Sequence, residues 1–331
     1  MIISRTPFRI SFFGGGTDYP RWYRDHGGSV LATTINKYCY ISCRPLPPFF
    51  DHKYRIVYSR IENAKTINQI EHPSVHAVLN WAEVEEGLEI HHDGDLPARS
   101  GLGSSSAFTV GLTHALQALR GKMVDKGTLA KDAIHIEQEL IGENVGSQDQ
   151  ISAAFGGFNR IDFHSDDSFD VSPLILPTAR LGELHDHLML CFTGLSRIAS
   201  EVAKSKIENL NKRESELTRM QEMVDEAVEI LRNTNRPIED LGKLLDESWQ
   251  CKRRLSHLVS TPEIDNVYEA ARKAGAIGGK ILGAGGGGFF LLFAKPEDQP
   301  AIRERLSHLV HVPFDFEDSG SRVVLYQPNG L

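Results

Sequence analysis

The run Pro97-Ala98-Arg99-Ser100-Gly101-Leu102-Gly103-Ser104-Ser105-Ser106 most restricts what this chain can become, because it crowds glycines and hydroxyls into a loop directly before a helix. Glycine reaches backbone conformations closed to other residues, so Gly101 and Gly103 can turn successive N–H groups toward one point. A helix starting there adds its unpaired N-terminal donors and the positive end of its dipole, which favours an anion such as phosphate. The helix reads from Ser104 to Arg120: Ala107, Val110, Ala115, Ala118 and Leu119 form an apolar stripe, and Gly121 is a stop. The loop is not a Walker A sequence, which needs Gly-Lys-Ser/Thr after a four-residue gap, nor the Gly-x-Gly-x-x-Gly dinucleotide pattern. A serine-rich turn before a core helix has the same local sequence, so other segments must decide.

The chain has 331 residues, enough for about two domains with substantial cores. Its 36 Lys and Arg against 44 Asp and Glu leave a formal net charge of −8. That balance argues against a general nucleic-acid or anionic-membrane binder while leaving room for a local basic pocket. Cys39, Cys43, Cys191 and Cys251 have neither metal-ligand spacing nor the density of a disulfide framework, so reduced thiols and a cytoplasmic location are expected. No signal-peptide pattern is present, and no apolar run approaches the ~20 residues that span a bilayer.

Strand-forming residues fill Ile2–Phe13 and Ser29–Cys43, with turn chemistry between them. Helical spacing follows over 104–120 and 128–141, the second placing Leu129, Ala133, Ile136 and Leu140 on one face. A β-like stretch over 155–163 leads toward a boundary at Pro177, which divides the chain into domains 1–177 and 178–331. In the second, Leu188–Phe192 predicts a strand, and Leu217, Met220, Val224, Ala227 and Leu231 predict a long helix that Asn235-Arg236-Pro237 interrupts. Another helix is predicted from Ile238 toward Leu258, and Thr261-Pro262-Glu263 caps the next, which Gly275 ends. The pattern is α+β in two lobes. His91 and His92 are adjacent rather than at ligand spacing, and Trp22, Trp81 and Trp249 read as packing residues.

Three segments together resemble the GHMP kinases, the superfamily of galactokinase, homoserine kinase, mevalonate kinase and phosphomevalonate kinase. The Pro97–Ser106 loop has the order Pro-x-x-x-Gly-Leu-Gly-Ser-Ser of their second motif. Thr6-Pro7-Phe8-Arg9 followed by Gly14-Gly15-Gly16-Thr17-Asp18-Tyr19 resembles the first, and Gly278–Gly288 followed by the apolar Phe289–Phe293 resembles the third. The resemblance implies a two-lobed fold, a ribosomal protein S5 domain 2-like N-terminal domain with an α+β C-terminal domain, and an active site in the cleft between them.

It also implies roles, since phosphoryl transfer needs a phosphate cradle, a metal ligand and a base. The cradle for ATP would be Arg99, Ser100, Gly101, Leu102, Gly103, Ser104, Ser105 and Ser106. Mg²⁺, which prefers hard oxygen ligands, would take the Ser105 hydroxyl and the carboxylate of Glu137, with Glu139 the alternative. Asp149 would be the general base, and Arg9 beside it would keep it ionised and offset charge on the transferring group. Asp18 would accept hydrogen bonds from a sugar diol. Gly14, Gly15, Gly16, Thr17, Gly285 and Gly286 would line the substrate site, although the third glycine run also reads as a tight strand connection.

Galactokinases have Gly-Glu-His-Thr-Asp-Tyr where this chain has Gly14 to Tyr19, a change that removes an acidic side chain and makes room for a longer sugar with a phosphorylated tail. Together with Thr193-Gly194-Leu195-Ser196-Arg197, the first motif resembles the D-glycero-D-manno-heptose 7-phosphate kinases. That implies transfer from ATP to the anomeric C1 hydroxyl, giving heptose 1,7-bisphosphate for GDP-heptose and surface polysaccharide synthesis. Arg197, then Lys37 and Arg21, are candidates for holding the 7-phosphate. Two readings stay open: a fucokinase-like enzyme acting on an unphosphorylated sugar, and a silent sugar- and ATP-binding sensor. No nucleic-acid or membrane partner is expected.

Overall fold

The computed structural model describes residues 1–98, 100–194 and 199–328. It opens with two long antiparallel strands, β1 (Ile2–Phe13) and β2 (Gly28–Pro45), joined through helix α1 (Pro20–His26). β1 follows one edge of β2 from Ile2 opposite Cys43 to Phe13 opposite Leu31. The chain then makes β3 (Tyr54–Val57), β4 (Ile61–Ala64), α2 (Pro73–Trp81) and β5 (Leu88–Gly94). β5 pairs with the Cys39–Pro45 end of β2, and β3 and β4 continue the sheet outward from it.

Helix α3 (Ser104–Leu119) lies across β1 and β2 with Ala107, Val110, Leu112, Ala115 and Leu116 buried, the apolar face its spacing predicts. Next come α4 (Lys126–His135), a π-helical turn over Ile136–Ile141, and α5 (Gln148–Phe155). The single helix predicted over 128–141 therefore changes winding at Ile136, which sequence spacing does not reveal. The β-like stretch over 155–163 also differs: Phe155 ends α5, Gly156 and Gly157 turn the chain at positive φ, and only Phe158–Phe163 forms β6. β6 pairs with the Gly28–Thr33 end of β2 and with β7 (Phe169–Pro173) outside it.

After Pro177 the chain enters α6 (Thr178–Asp186) and a second sheet. That sheet holds β8 (Leu188–Phe192), β9 (Gly278–Ile281), β10 (Phe289–Phe293) and β11 (Val310–His311) in the order β11-β8-β10-β9. Its helices are α7 (Ala199–Asn209), α8 (Glu214–Arg232), α9 (Glu239–Leu255), α10 (Pro262–Lys273) and α11 (Gln299–Arg305). Thr261 caps α10 through its hydroxyl, which accepts from Ile264 N. α8 buries Leu217, Met220, Met223, Val224, Ala227, Ile230 and Leu231, each large side chain contributing about 1.5–3 kcal/mol. It packs on α9 and reaches β1 and β2, joining the lobes.

Two last strands return to the first sheet. β12 (Phe316–Glu317) fills the gap on β2 at Thr34 and Ile35, between β6 and β5, and β13 (Arg322–Tyr326) pairs with β1. The segment 178–331 thus contributes to both sheets. Among the described residues no helix is long and apolar enough to cross a membrane.

Candidate active site

The pocket between the lobes is built around an ion pair. Arg9, on β1 and 3% exposed, donates from Nε to Asp149 Oδ1 and from Nη2 to Asp149 Oδ2, both at 2.8 Å. Its Nη1 donates to Gly101 O, also at 2.8 Å. A guanidinium fork matches both oxygens of a carboxylate at once. It uses one lone pair of each, leaving Asp149, in the first turn of α5, a free lone pair on either oxygen toward the pocket it lines.

The loop before α3 is fastened to both lobes. Arg9 N donates to Leu102 O and Phe289 N to Ser100 O, each at 3.0 Å. Leu102 and Ser100 are buried by these contacts, while Gly101, Gly103, Ser104, Ser105 and Ser106 line the pocket. The N-terminus of α3 therefore opens onto the pocket, the end of a helix at which anions bind.

The opposite wall carries Asp18. Gly16 N donates to its Oδ1 at 2.8 Å and Gln148 Nε2 to its Oδ2 at 3.0 Å. Burial raises the Asp18 carboxyl above its usual range, and nearby Asp149 adds to this; the Gly16 N–H and Lys206 oppose it. A Cβ on Gly146 would lie 1.9 Å from Asp18 Oδ2, so the 142–147 loop closes over this carboxylate only with glycine there.

Glu137, in the π-helical turn, is fully buried. Ser106 Oγ donates to its Oε2 at 2.8 Å, and Gln150 Nε2 donates to the same oxygen. Oε1 makes no hydrogen bond of good geometry; the Thr109 hydroxyl beside this carboxylate, which helps hold its charge, donates to Ser105 O at 3.3 Å. Burial pushes the carboxyl up to about 7, more than these hydroxyls and Gln150 recover. Glu139 in the same turn is exposed.

Three lysines from the second lobe complete the lining, and sequence spacing did not single them out. Lys252 Nζ, on α9, donates to Ile281 O and Gly283 O at 2.6 Å, and Lys280 Nζ, on β9, donates to Phe12 O at 2.8 Å. Lys206, on α7, stands 5.4 Å from the Tyr19 ring centroid. Burial lowers all three, Lys206 to about 8 and Lys280 to about 7, with Arg9 pushing the same way.

Several expected positions fall elsewhere. Gly285 and Gly286 back onto Val259, where Gly286 N donates to Val259 O at 2.8 Å; Gly283 and Ala284 line the pocket instead. Gly14 and Thr17 sit behind the wall: a Cβ on Gly14 would lie 1.9 Å from Ser29 O, and the Thr17 hydroxyl donates to Gly14 O or Ser29 O. The serine that meets Glu137 is Ser106, whereas Ser105 is exposed at the pocket edge, because one residue of helix rotates the hydroxyl by about 100°. Lys37, on β2, and Arg21, exposed on α1, do not line the pocket. Arg99 and Arg197 lie outside the described residues.

A helix N-terminus, an Arg-held carboxylate and a second, buried carboxylate share one cleft, the kinds of group that phosphoryl transfer to an alcohol needs. Residues 65–157 match the GHMP kinases N terminal domain and residues 227–311 the GHMP kinases C terminal domain, and the chain belongs to this family as an ATP-dependent sugar kinase. It is 30% identical over 307 residues to D-glycero-alpha-D-manno-heptose 7-phosphate kinase of Campylobacter jejuni, spanning 89% of this chain and 90% of that one. It is 26% identical to the galactokinase of Thermotoga maritima over 91% of this chain and 92% of that protein. Among solved structures, a D-glycero-D-manno-heptose 1-phosphate kinase from Bacteroides thetaiotaomicron superposes with a TM-score of 0.78 at 23% identity, over 98% of each chain, a likeness of fold.

Proposed function

We propose that the enzyme transfers the γ-phosphoryl group of ATP to the anomeric C1 hydroxyl of D-glycero-D-manno-heptose 7-phosphate. The observation that carries this reading is a cation left over on the acceptor side: Arg9, Lys206, Lys252 and Lys280 line the cleft with Asp18, Glu143 and Asp149, and Lys206, whose strongest charge partner is Asp18, has no hydrogen-bond partner among the described residues. A phosphorylated acceptor supplies an anion for that ammonium in addition to the donor phosphates held at α3. The name of the Campylobacter relative supports the same acceptor.

In this reading the donor phosphates lie against the loop N–H groups and the N-terminus of α3, and Asp18 accepts hydrogen bonds from acceptor hydroxyls. As the C1 oxygen bonds to the γ-phosphorus, the bond from phosphorus to the ADP oxygen breaks and the C1 hydroxyl proton passes to Asp149. Arg9 fixes Asp149 and faces the charge of the transferring group. Mg²⁺ fits the buried, incompletely bonded carboxylate of Glu137 with the hydroxyl of Ser106 or Ser105, a hard-oxygen donor set; when bound, it offsets charge on the donor phosphates. A cytoplasmic setting agrees with ATP as donor and with the four free, buried cysteines.

ADP release with Mg-ATP, measured across heptose 7-phosphate, free heptose, mannose, fucose and galactose, tests the reading. The expected result is a preference for heptose 7-phosphate over every free sugar of about 100-fold, the value of a charge-assisted phosphate contact. Equal or better turnover of free fucose would favour the fucokinase-like alternative, and no turnover at all the sensor.

A further inference from the structure

The four cations that line the pocket among the described residues are not equivalent. Arg9 is committed to Asp149 and Gly101 O, Lys252 to two carbonyls, and Lys280 to one. Lys206 is 5% exposed and, among the described residues, makes no hydrogen bond or ion pair; it only faces the Tyr19 ring. A largely buried ammonium that spends none of its three donors on the protein and lines the pocket is placed to receive an anion there. Location separates it further from the other two lysines. Lys252 is tied to Gly283, which packs directly on Gly101 of the phosphate loop, whereas the charges nearest Lys206 are Asp18 and Asp149 on the acceptor wall.

The glycine run that lines the same pocket divides in a similar way. Gly14 and Gly16 have φ of +80 and +115, and a Cβ at either would meet Ser29 O at 1.9 Å or Leu217 Cδ2 at 3.0 Å. Gly15 has no positive φ, and a Cβ there would make only ordinary contacts, 3.5 Å from Ser11 Oγ and 3.6 Å from Gln148 Nε2, both pocket residues. The fold requires glycine at 14 and 16 but not at 15, where a side chain would project beside Asp18.

We propose that Lys206 receives the far phosphate of the acceptor, a sugar phosphate monoester, and that Gly15 is kept free of a side chain to admit that end of the molecule. This rests on the acceptor being a sugar phosphate. The test is the ratio of kcat/KM for heptose 7-phosphate to that for free heptose, at saturating Mg-ATP, in the parent, Lys206→Met, Lys206→Arg and Gly15→Glu. Lys206→Met is expected to lower the ratio by about 10–100-fold, chiefly through KM for the phosphorylated sugar, and Lys206→Arg to restore part of it. Gly15→Glu, at an open position, is expected to lower it as well by placing a like charge beside the phosphate. A parent that does not prefer the phosphorylated sugar overturns the earlier reading. A parent preference that survives Lys206→Met, or a fall in both substrates by one factor, overturns the role of Lys206 alone; an unchanged ratio in Gly15→Glu overturns the subsite even if Lys206→Met does not fold.

Discussion

A lysine sealed into protein must give up the hydration of its ammonium, and Lys280 registers that cost as a pKa of about 7 against an ordinary 10.5. Between those values the unfolded chain binds the proton and the folded one releases it, so this residue's penalty on stability is absent above 10.5 and complete below about 7. The penalty at neutral pH is on the order of 4 kcal/mol. Lys280→Met is therefore expected to melt at a higher temperature relative to the parent at pH 7 than at pH 10; a difference independent of pH would mean that Lys280 is not held below its ordinary range. Asp149→Asn, by contrast, keeps a similar shape but removes the proposed proton acceptor. Its turnover should drop by at least about 100-fold while ATP affinity measured calorimetrically is retained, and near-normal turnover would remove Asp149 from its role. Arg9, Asp18, Glu137 and Asp149 stand out in the sequence through their motifs. Lys206 and Lys252 do not, because lysines on amphipathic helices are ordinary surface residues, and only the packing of α7 and α9 turns these two inward.

The elements that carry the site were unequally legible. β1, β8 and α3 have the apolar patterns of a buried strand or helix face, and they appear within a residue or two of expectation. The π-helical turn at Ile136–Ile141 has no such pattern, yet it presents Glu137 to Ser106 and Gln150. π turns concentrate at functional sites because the extra residue re-aims a side chain at a cost in helix stability. Deleting the exposed Leu140 would restore an ordinary helical ladder and draw the 142–147 loop back from Asp18. Turnover should fall about 100-fold with the far-ultraviolet circular dichroism unchanged, since displacement of about 1 Å is enough for such a loss. Full turnover in that variant would show that the turn does not position Glu137. The third glycine run teaches the converse: its composition marks a close backbone approach, but only the register of β9 and β10 decides that Gly283 rather than Gly285 lines the pocket.

At the scale of the whole molecule, the lobes are joined by more than the chain at Pro177. The loop before α3 is bonded to β1 through Leu102 and to β10 through Ser100, and β12 and β13 carry the end of the chain back onto β2 and β1. Strands of two and five residues with half-exposed faces leave little trace in sequence, so a single contiguous boundary could not foresee this return. Ser321, beside β13, also hydrogen bonds to Thr6 on β1 at 2.8 Å. Ending the chain after Phe314 is expected to lower the melting temperature by about 10 °C or more, since β1 and β2 both lose partners; an unchanged melting temperature would make the returning strands dispensable. In the proposed reaction the lobes meet so that a phosphoryl donor on α3 faces an acceptor held by Asp18 and Asp149. The most direct measurement of that arrangement is phosphorus NMR of the product formed from Mg-ATP and heptose 7-phosphate. The expected spectrum contains a second sugar phosphate, coupled to the anomeric proton, growing in step with ADP. ADP accompanied only by inorganic phosphate, or a new phosphate on any carbon other than C1, would contradict it.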